Sequence, residues 1–312
     1  MSKLKALLLT EGLHGMISQT EGLAKALDFH YIHEKIELNS FWKLIPTSFT
    51  PIKKFVFKNK IDQDFDVIIS CGRKSIIPSL FLKKNSKKKI INIHIQDPKV
   101  ALKNFDFVVC PEHDNLQGPN VLSTKGAIHY LTNEEINNSR DYLLNKLEKH
   151  KDIITLILGG TNKYYNYSDK NMINIFSIIN RKLKDHNLQL IVIPSNRTSE
   201  KTIQLAKEYF TKNRIVIDIV DKSAYLSSLA LAKYIVVTCD STSMISEAAL
   251  TGKPVYVAMI PALRNDKRFQ RFRNLFEKLN IIKKLDNNLE TWNYEKLNEA
   301  DRIALEIKRK IN

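Results

Sequence analysis

The feature that most constrains this chain is a repeated alternation. Short continuous apolar runs recur at 4–9, 67–70, 90–95, 107–110 and, more weakly, 121–122. A second series follows at 153–158, 190–193, 215–220, 234–238 and 254–258. Runs of this length, apolar at every position, read as strands buried on both faces. Helical periodicity separates them at 16–27, 168–184, 198–211, 223–230, 242–250 and 266–279. Strands alternating with helices imply parallel sheets covered on both sides. Two such series predict an α/β protein of two doubly wound, Rossmann-like domains facing a cleft. A polar helical stretch at 133–149 would join them. The expected boundaries are 1–135 and 150–290, with a basic amphipathic helix over 291–312.

Composition supports a globular chain of that size. Of 312 residues, 43% are apolar and 26% charged, which excludes disorder or a disulfide scaffold. No apolar run approaches the ~20 residues of a membrane span. The apolar stretch after Lys5 ends at Thr10-Glu11, too short for a secretory signal. Cys71, Cys110 and Cys239 lie far apart without metal spacing, as expected in a reducing compartment. The expected location is cytoplasmic, with a peripheral place on the inner face of the cytoplasmic membrane as the further expectation.

The charge is less ordinary. There are 49 Lys and Arg against 33 Asp and Glu, a formal +16, and only 11 of the 49 are arginine. A solvated lysine surface is one reading. Attraction to phosphorylated substrates, anionic lipid or nucleic acid is the other. No nucleic-acid-binding motif accompanies the charge, so nucleic acid is not an expected partner.

Nine glycines are about 3% of the chain, below the usual ~7%. Gly12, Gly15, Gly72, Gly159 and Gly160 all follow a predicted strand, where a tight turn near a ligand needs them. In open parallel sheets ligands bind at the carboxyl ends of strands. In the first half those ends carry Thr10 to Gly15, Ser70 to Ser75, Gln96-Asp97-Pro98 and Glu112-His113-Asp114. In the second half they carry Gly159-Gly160-Thr161, Ser195-Asn196-Arg197 and Asp240-Ser241-Thr242-Ser243.

The last of these opens a helix. Its exposed N–H groups and dipole suit a diphosphate, while Asp240 or Ser241 also reads as a plain N-cap. Glu247 follows on the same face, placed to accept from a ribose diol, or else to serve as a structural carboxylate. Arg73 and Arg197 stand after strands, and a guanidinium grips phosphate through two N–H groups. Either is equally readable as a surface arginine. His14 is a candidate general base, with Asp97 and Glu112 as rivals. On the helix 266–279, Phe269, Phe272 and Phe276 form an apolar stripe beside Arg264, Arg268, Arg271 and Arg273.

Other chemistries lack their signatures. G-x-G-x-x-G, the P-loop and the G-x-S-x-G elbow are absent from the sequence. Asp62-x-Asp64-x-Asp66 has metal-motif spacing but precedes its strand, at the wrong end for a ligand. No metal and no resident cofactor are expected. One further segment stands apart. Residues 41–60 interleave Phe41, Trp42, Leu44, Phe49, Phe55 and Phe57 with five lysines. Such a segment can dock on an anionic membrane or hold a lipid acceptor, or pack its aromatics inward as a loop.

Several pieces together resemble bacterial relatives of the plant mitochondrial-fission "elongated mitochondria" family, described as predicted nucleoside-diphosphate-sugar epimerases. They are Ser70-x-Gly72-Arg73, Gln96-Asp97-Pro98, Pro111-Glu112-His113-Asp114, Gly118-Pro119-Asn120-Val121, Gly126-Ala127 with His129, Leu158-Gly159-Gly160 and Ser195-x-Arg197-Thr198. Asp240-Ser241-x-Ser243-Met244-x-Ser246-Glu247-Ala248 and Thr251-Gly252-Lys253-Pro254-Val255 complete the match. The family is similar to two-domain GT-B glycosyltransferases and UDP-sugar 2-epimerases. The resemblance implies metal-independent binding of a nucleotide-diphosphate sugar, mainly on the second domain, with Glu247 at the ribose. Asp240-Ser241 stands where many of those enzymes have Gly-Gly. The expected donor-site residues are Gly12, Gly15, Gly72, Arg73, Gly159, Gly160, Thr161, Ser195, Arg197, Asp240, Ser241, Ser243, Met244, Glu247 and Lys253. The expected reaction is glycosyl transfer from such a donor, with a cell-envelope glycolipid as acceptor. Epimerisation on the same scaffold and a non-catalytic adaptor on a membrane surface are the alternatives.

Overall fold

The computed structural model describes residues 3–61, 64–212, 214–286 and 288–311. Its contacts divide it into one unit of Met1–Tyr130 with Asn298–Asn312 and a second of Leu131–Leu297.

The first unit holds a six-stranded, all-parallel sheet. Its strands are β1 (Lys5–Thr10), β2 (His30–Lys35), β3 (Val67–Cys71), β4 (Ile91–Ile95), β5 (Phe107–Pro111) and β6 (Val121–Thr124), in spatial order β2-β1-β3-β4-β5-β6. Helix α1 (His14–Ala26) leads from β1 to β2, and α2 (Arg73–Asn85) from β3 to β4. The chain runs outward from β1 to β2, then returns to the other side of β1 as β3. That reversal makes the carboxyl ends of β1 and β3 the switch point, where an open sheet leaves a crevice.

The second unit opens with two short helices, α3 (Asn133–Asn138) and α4 (Asp141–Leu144). Its sheet contains β7 (Asp152–Leu158), β8 (Leu188–Pro194), β9 (Arg214–Val216), β10 (Tyr234–Thr238), β11 (Val255–Ala258) and β12 (Ile282–Lys284). Helices α5 (Asp169–Asp185), α6 (Glu200–Tyr209), α7 (Lys222–Leu231), α8 (Thr242–Ala249) and α9 (Lys267–Lys278) connect them in turn. The order is β12-β11-β10-β7-β8-β9, all parallel. Here the reversal falls between β7 and β10. Helix α10 (Glu299–Ile311) then returns to the first unit, where it packs against α1 and buries Ile303, Ala304 and Ile307. Both halves are doubly wound α/β, as the alternation predicts.

The elements differ from the sequence reading in a few places. The expected run at 215–220 stops as a strand at Val216. The polar stretch 133–149 is not one helix: Thr132 starts α3 with a capping box to Glu135, and the Ser139 hydroxyl then donates back to the Glu135 carbonyl as the helix ends. The C-terminal helix begins at Glu299. Helix α2 and the edge strands β2 and β12 were not anticipated. All three cysteines are buried, as are Phe269, Phe272 and Phe276. No helix among the described residues is long and apolar enough to cross a membrane.

Candidate functional site

The crevice of the second unit is built where β7 and β10 end side by side. Gly159 donates its N–H to Thr238 Oγ1 at 2.9 Å, and Gly160 donates to Asp240 Oδ2 at 3.2 Å. A Cβ on Gly159 would lie 2.2 Å from that same Asp240 oxygen, and one on Gly160 would lie 1.9 Å from the Arg197 carbonyl. Both glycines are therefore needed because two backbone segments and a carboxylate approach closer than any side chain allows.

Asp240 is the hub of this packing. It is 4% exposed. Tyr167 donates its hydroxyl to Oδ1 at 2.5 Å, and Arg197 Nη2 lies 2.7 Å from Oδ2. The same arginine donates through Nη1 to the Gly160 carbonyl at 2.9 Å. Burial and the neighbouring carboxylate push the Tyr167 hydroxyl far above its usual range, so it stays a donor. Asp240 thus faces inward. The N-cap of α8 is Ser241, whose side chain accepts the Met244 N–H at 3.3 Å. The half-exposed first turn of α8, from Ser241 to Met244, is left with its positive dipole end toward the crevice.

Glu247 lies one turn further along α8. Tyr225 donates its hydroxyl to Glu247 Oε2 at 2.6 Å. The residue is deep in the unit yet not sealed from solvent. Burial pushes its carboxyl up to about 7, against the pull of the Tyr225 hydroxyl. Ser195 and Thr161 border the crevice from β8 and β7. Ser195 receives support from Thr198, whose Oγ1 accepts the Ser195 N–H at 2.8 Å, and Thr161 accepts the Tyr167 N–H at 3.1 Å.

Two expected phosphate ligands are occupied elsewhere. Lys253 Nζ donates to the carbonyls of Leu229 and Ala230 at 2.8 and 2.7 Å, closing the C-terminal end of α7. Burial, with Arg140 and Lys296 nearby, lowers its ammonium to about 8. In the first unit, Arg73 donates Nη1 to the Ile45 carbonyl at 2.9 Å and Nη2 to that of Lys43. It holds down the loop before β3.

At the first unit's switch point, Gly12 and Gly72 adopt φ of +84° and +90°, which explains glycine at both. Gly15 is different: nothing lies within 4 Å of where its Cβ would be. Glu11 accepts the Lys74 N–H at 3.1 Å and pairs with Lys74 Nζ at 2.8 Å. The chain's own carboxylate therefore sits at the start of α2. His14 opens α1, exposed, with Nε2 3.5 Å from the Tyr130 hydroxyl. Asp97 accepts the Lys99 N–H at 2.9 Å and its Nζ at 2.5 Å, and Glu112 is exposed on a single 3₁₀ turn. Asp64 and Asp66 share Lys88 at 2.7 and 2.8 Å. Asp62, the third member of that acidic triplet, lies outside the described residues.

Sequence reasoning missed Tyr167 and Tyr225, and it placed Glu11 at a strand end without giving it a role. Tyr167 had a signal, since it follows Gly159-Gly160-Thr161 by only six residues. Tyr225 had none, because it comes from the middle of another helix.

Comparison with known proteins bears on the family and the fold. An uncharacterized protein of Rickettsia prowazekii, RP120, is 26% identical over 94% of this chain and 95% of its own. The mitochondrial fission protein ELM1 of Arabidopsis thaliana is 23% identical over 78% of this chain, which spans 64% of that longer plant protein. Among solved structures, UDP-GlcNAc 2-epimerase from Neisseria meningitidis, bound to UDP-GlcNAc, superposes with a TM-score of 0.55 at 12% identity, over 98% of this chain and 100% of that one. MurG of Acinetobacter baumannii does so with a TM-score of 0.51 at 11% identity, over 99% and 90%. At these identities the likeness to solved structures is one of fold, the GT-B-type α/β fold on which nucleotide-sugar enzymes are built. Residues 14–311 match the family described as mitochondrial fission ELM1, so the chain belongs to that family.

Proposed function

We propose that the second unit binds a nucleotide-diphosphate sugar and that the protein transfers its sugar without a metal. The observation that carries this reading is the crevice between β7 and β10. Two glycines there hold the backbone against Asp240, leaving the positive end of α8 open with Glu247 one turn beyond. The diphosphate would lie against the N–H groups of Thr242 and Ser243, near Gly160, Thr161 and Ser195. The ribose hydroxyls would donate to Glu247. The UDP-GlcNAc in the Neisseria enzyme of the same fold supports this choice of ligand class.

When the glycosidic bond to the diphosphate breaks, its electron pair goes to the leaving phosphate oxygen. The dipole end of α8 opposes that growing charge. Arg197 acts as a positioning residue rather than a free counter-ion, because its guanidinium already pairs with Asp240. The acceptor's hydroxyl oxygen forms the new bond to the sugar as the old one breaks, and its proton is released to a general base.

The test is thermal shift with UDP, GDP, CDP, ADP and TDP, with and without Mg²⁺. A ligand that binds only the folded chain raises the melting temperature by mass action. One nucleotide should raise it without Mg²⁺, and Glu247→Ala should abolish the rise. Silence from every nucleotide at millimolar concentration removes the enzyme reading and leaves the non-catalytic one. Solvent deuterium entering the sugar without any acceptor would mark epimerisation instead of transfer.

A further inference from the structure

We propose that segment 38–60 of the first unit is a preformed docking surface for an anionic phospholipid bilayer. The segment joins β2 to β3. It carries Lys43, Lys53, Lys54, Lys58 and Lys60 and contains no Asp or Glu. Phe41, Leu44, Phe49 and Phe55 are 65%, 84%, 78% and 57% exposed. Scattered exposed apolar residues need no explanation, but four large ones on one short segment do.

Their exposure is imposed by the backbone rather than by looseness. Three 3₁₀ turns, Ser40–Lys43, Thr47–Phe49 and Lys54–Val56, shape the segment. Arg73 holds the carbonyls of Lys43 and Ile45. Asn39 donates to the Phe55 carbonyl at 2.5 Å. Asn59 accepts the Glu37 N–H and donates to the Lys35 carbonyl, both at 2.9 Å. From below, Leu38, Val56 and Phe57 are buried in the core, and Trp42 packs on the same cluster. Phe41 and Phe55 rest on Trp42 with ring centroids 4.9 and 5.8 Å away. Phe57 and Trp42 thus serve as the base, Phe41 and Phe55 rest on Trp42, and Leu44 and Phe49 stand exposed on the turns between them.

Charge selects the occupant. A second copy docked by the same face would set five lysines against five lysines. An anionic bilayer instead takes the apolar side chains at the headgroup–acyl boundary and the ammonium groups among its phosphates. This surface does not rest on the nucleotide-sugar reading, and its test contains no nucleotide.

The test is co-sedimentation of the full chain with vesicles of phosphatidylcholine alone and of phosphatidylcholine mixed with phosphatidylglycerol. Binding is expected only to the mixed vesicles and should weaken with salt. Each lysine near the surface is worth about fivefold, so Lys43→Gln/Lys53→Gln/Lys54→Gln should lose on the order of a hundredfold. Phe41→Ser/Leu44→Ser/Phe49→Ser should lose binding while keeping its melting curve, and single Leu44→Ser serves if the triple variant does not fold. Emission of Phe49→Trp should shift to the blue on mixed vesicles. No sedimentation with mixed vesicles overturns the proposal. So does undiminished binding of the serine variants, or self-association that Leu44→Ser abolishes with no vesicle binding at all.

Discussion

Arg197 and Asp240 form a pair 2.7 Å apart in which the Asp240 side chain is wholly buried and the Arg197 side chain is 41% exposed. A buried charge stripped of its partner costs more than the pair is worth. Arg197→Ala should therefore destabilise the second unit by about 2–3 kcal/mol in denaturant titration. Adding Asp240→Asn should recover part of that loss, because the amide needs no counter-charge. Equal losses in the single and double variants would show that the pair does not hold the crevice together.

The two ends of the glycine scale are Gly160 and Gly15. Gly160→Ala forces a methyl group into the Arg197 carbonyl, where backbone must move. A melting temperature lower by on the order of 5–10 °C is expected. Gly15→Ala meets open space inside α1 and should gain about 0.5 kcal/mol through reduced freedom of the unfolded chain. Similar melting temperatures for the two variants would contradict both readings.

These contrasts show what the sequence could disclose. The central strands were legible because both faces are covered, so β3 is apolar or small throughout and β8 is apolar but for Gln189, every residue of both being buried. The edge strand β2 reads His30-Tyr31-Ile32-His33-Glu34-Lys35, half-exposed and polar, and no continuous apolar run betrays it. Helix α2 was hidden by Pro78, which removes one N–H yet is tolerated inside it. At the site, spacing located Gly159, Gly160 and the start of α8. It did not tell which way Asp240 faces, because that depends on Tyr167 and Arg197 meeting it from two other loops. Nor does the sequence disclose that Arg73 and Lys253 each hold backbone carbonyls.

Lys253 allows a direct separation of those roles. Its ammonium closes α7, with Arg140 also donating to the Ala230 carbonyl at 3.1 Å. Lys253→Met should cost about 1 kcal/mol of stability while leaving nucleotide-induced thermal shift within twofold in apparent affinity. A loss of nucleotide binding tenfold or greater would restore it to the diphosphate.

Glu247 gives the sharpest pH signature. Its carboxyl rises from 4.5 to about 7 on folding, chiefly through burial. Between those values the folded chain holds a proton that the unfolded chain has released. Stability from this group is therefore present at low pH and falls as pH rises through 7, by at most about 3 kcal/mol. Glu247→Gln stays neutral, and its amide oxygen can still accept from Tyr225. The variant should melt near wild type at pH 5 and above it at pH 8. Nucleotide binding should move oppositely in the wild type. Ribose hydroxyls donate best to a carboxylate, so affinity should rise between pH 6 and 8, and Glu247→Gln should flatten that rise. A binding profile indifferent to pH in the wild type would detach the ribose from Glu247, even if the stability profile behaves as expected.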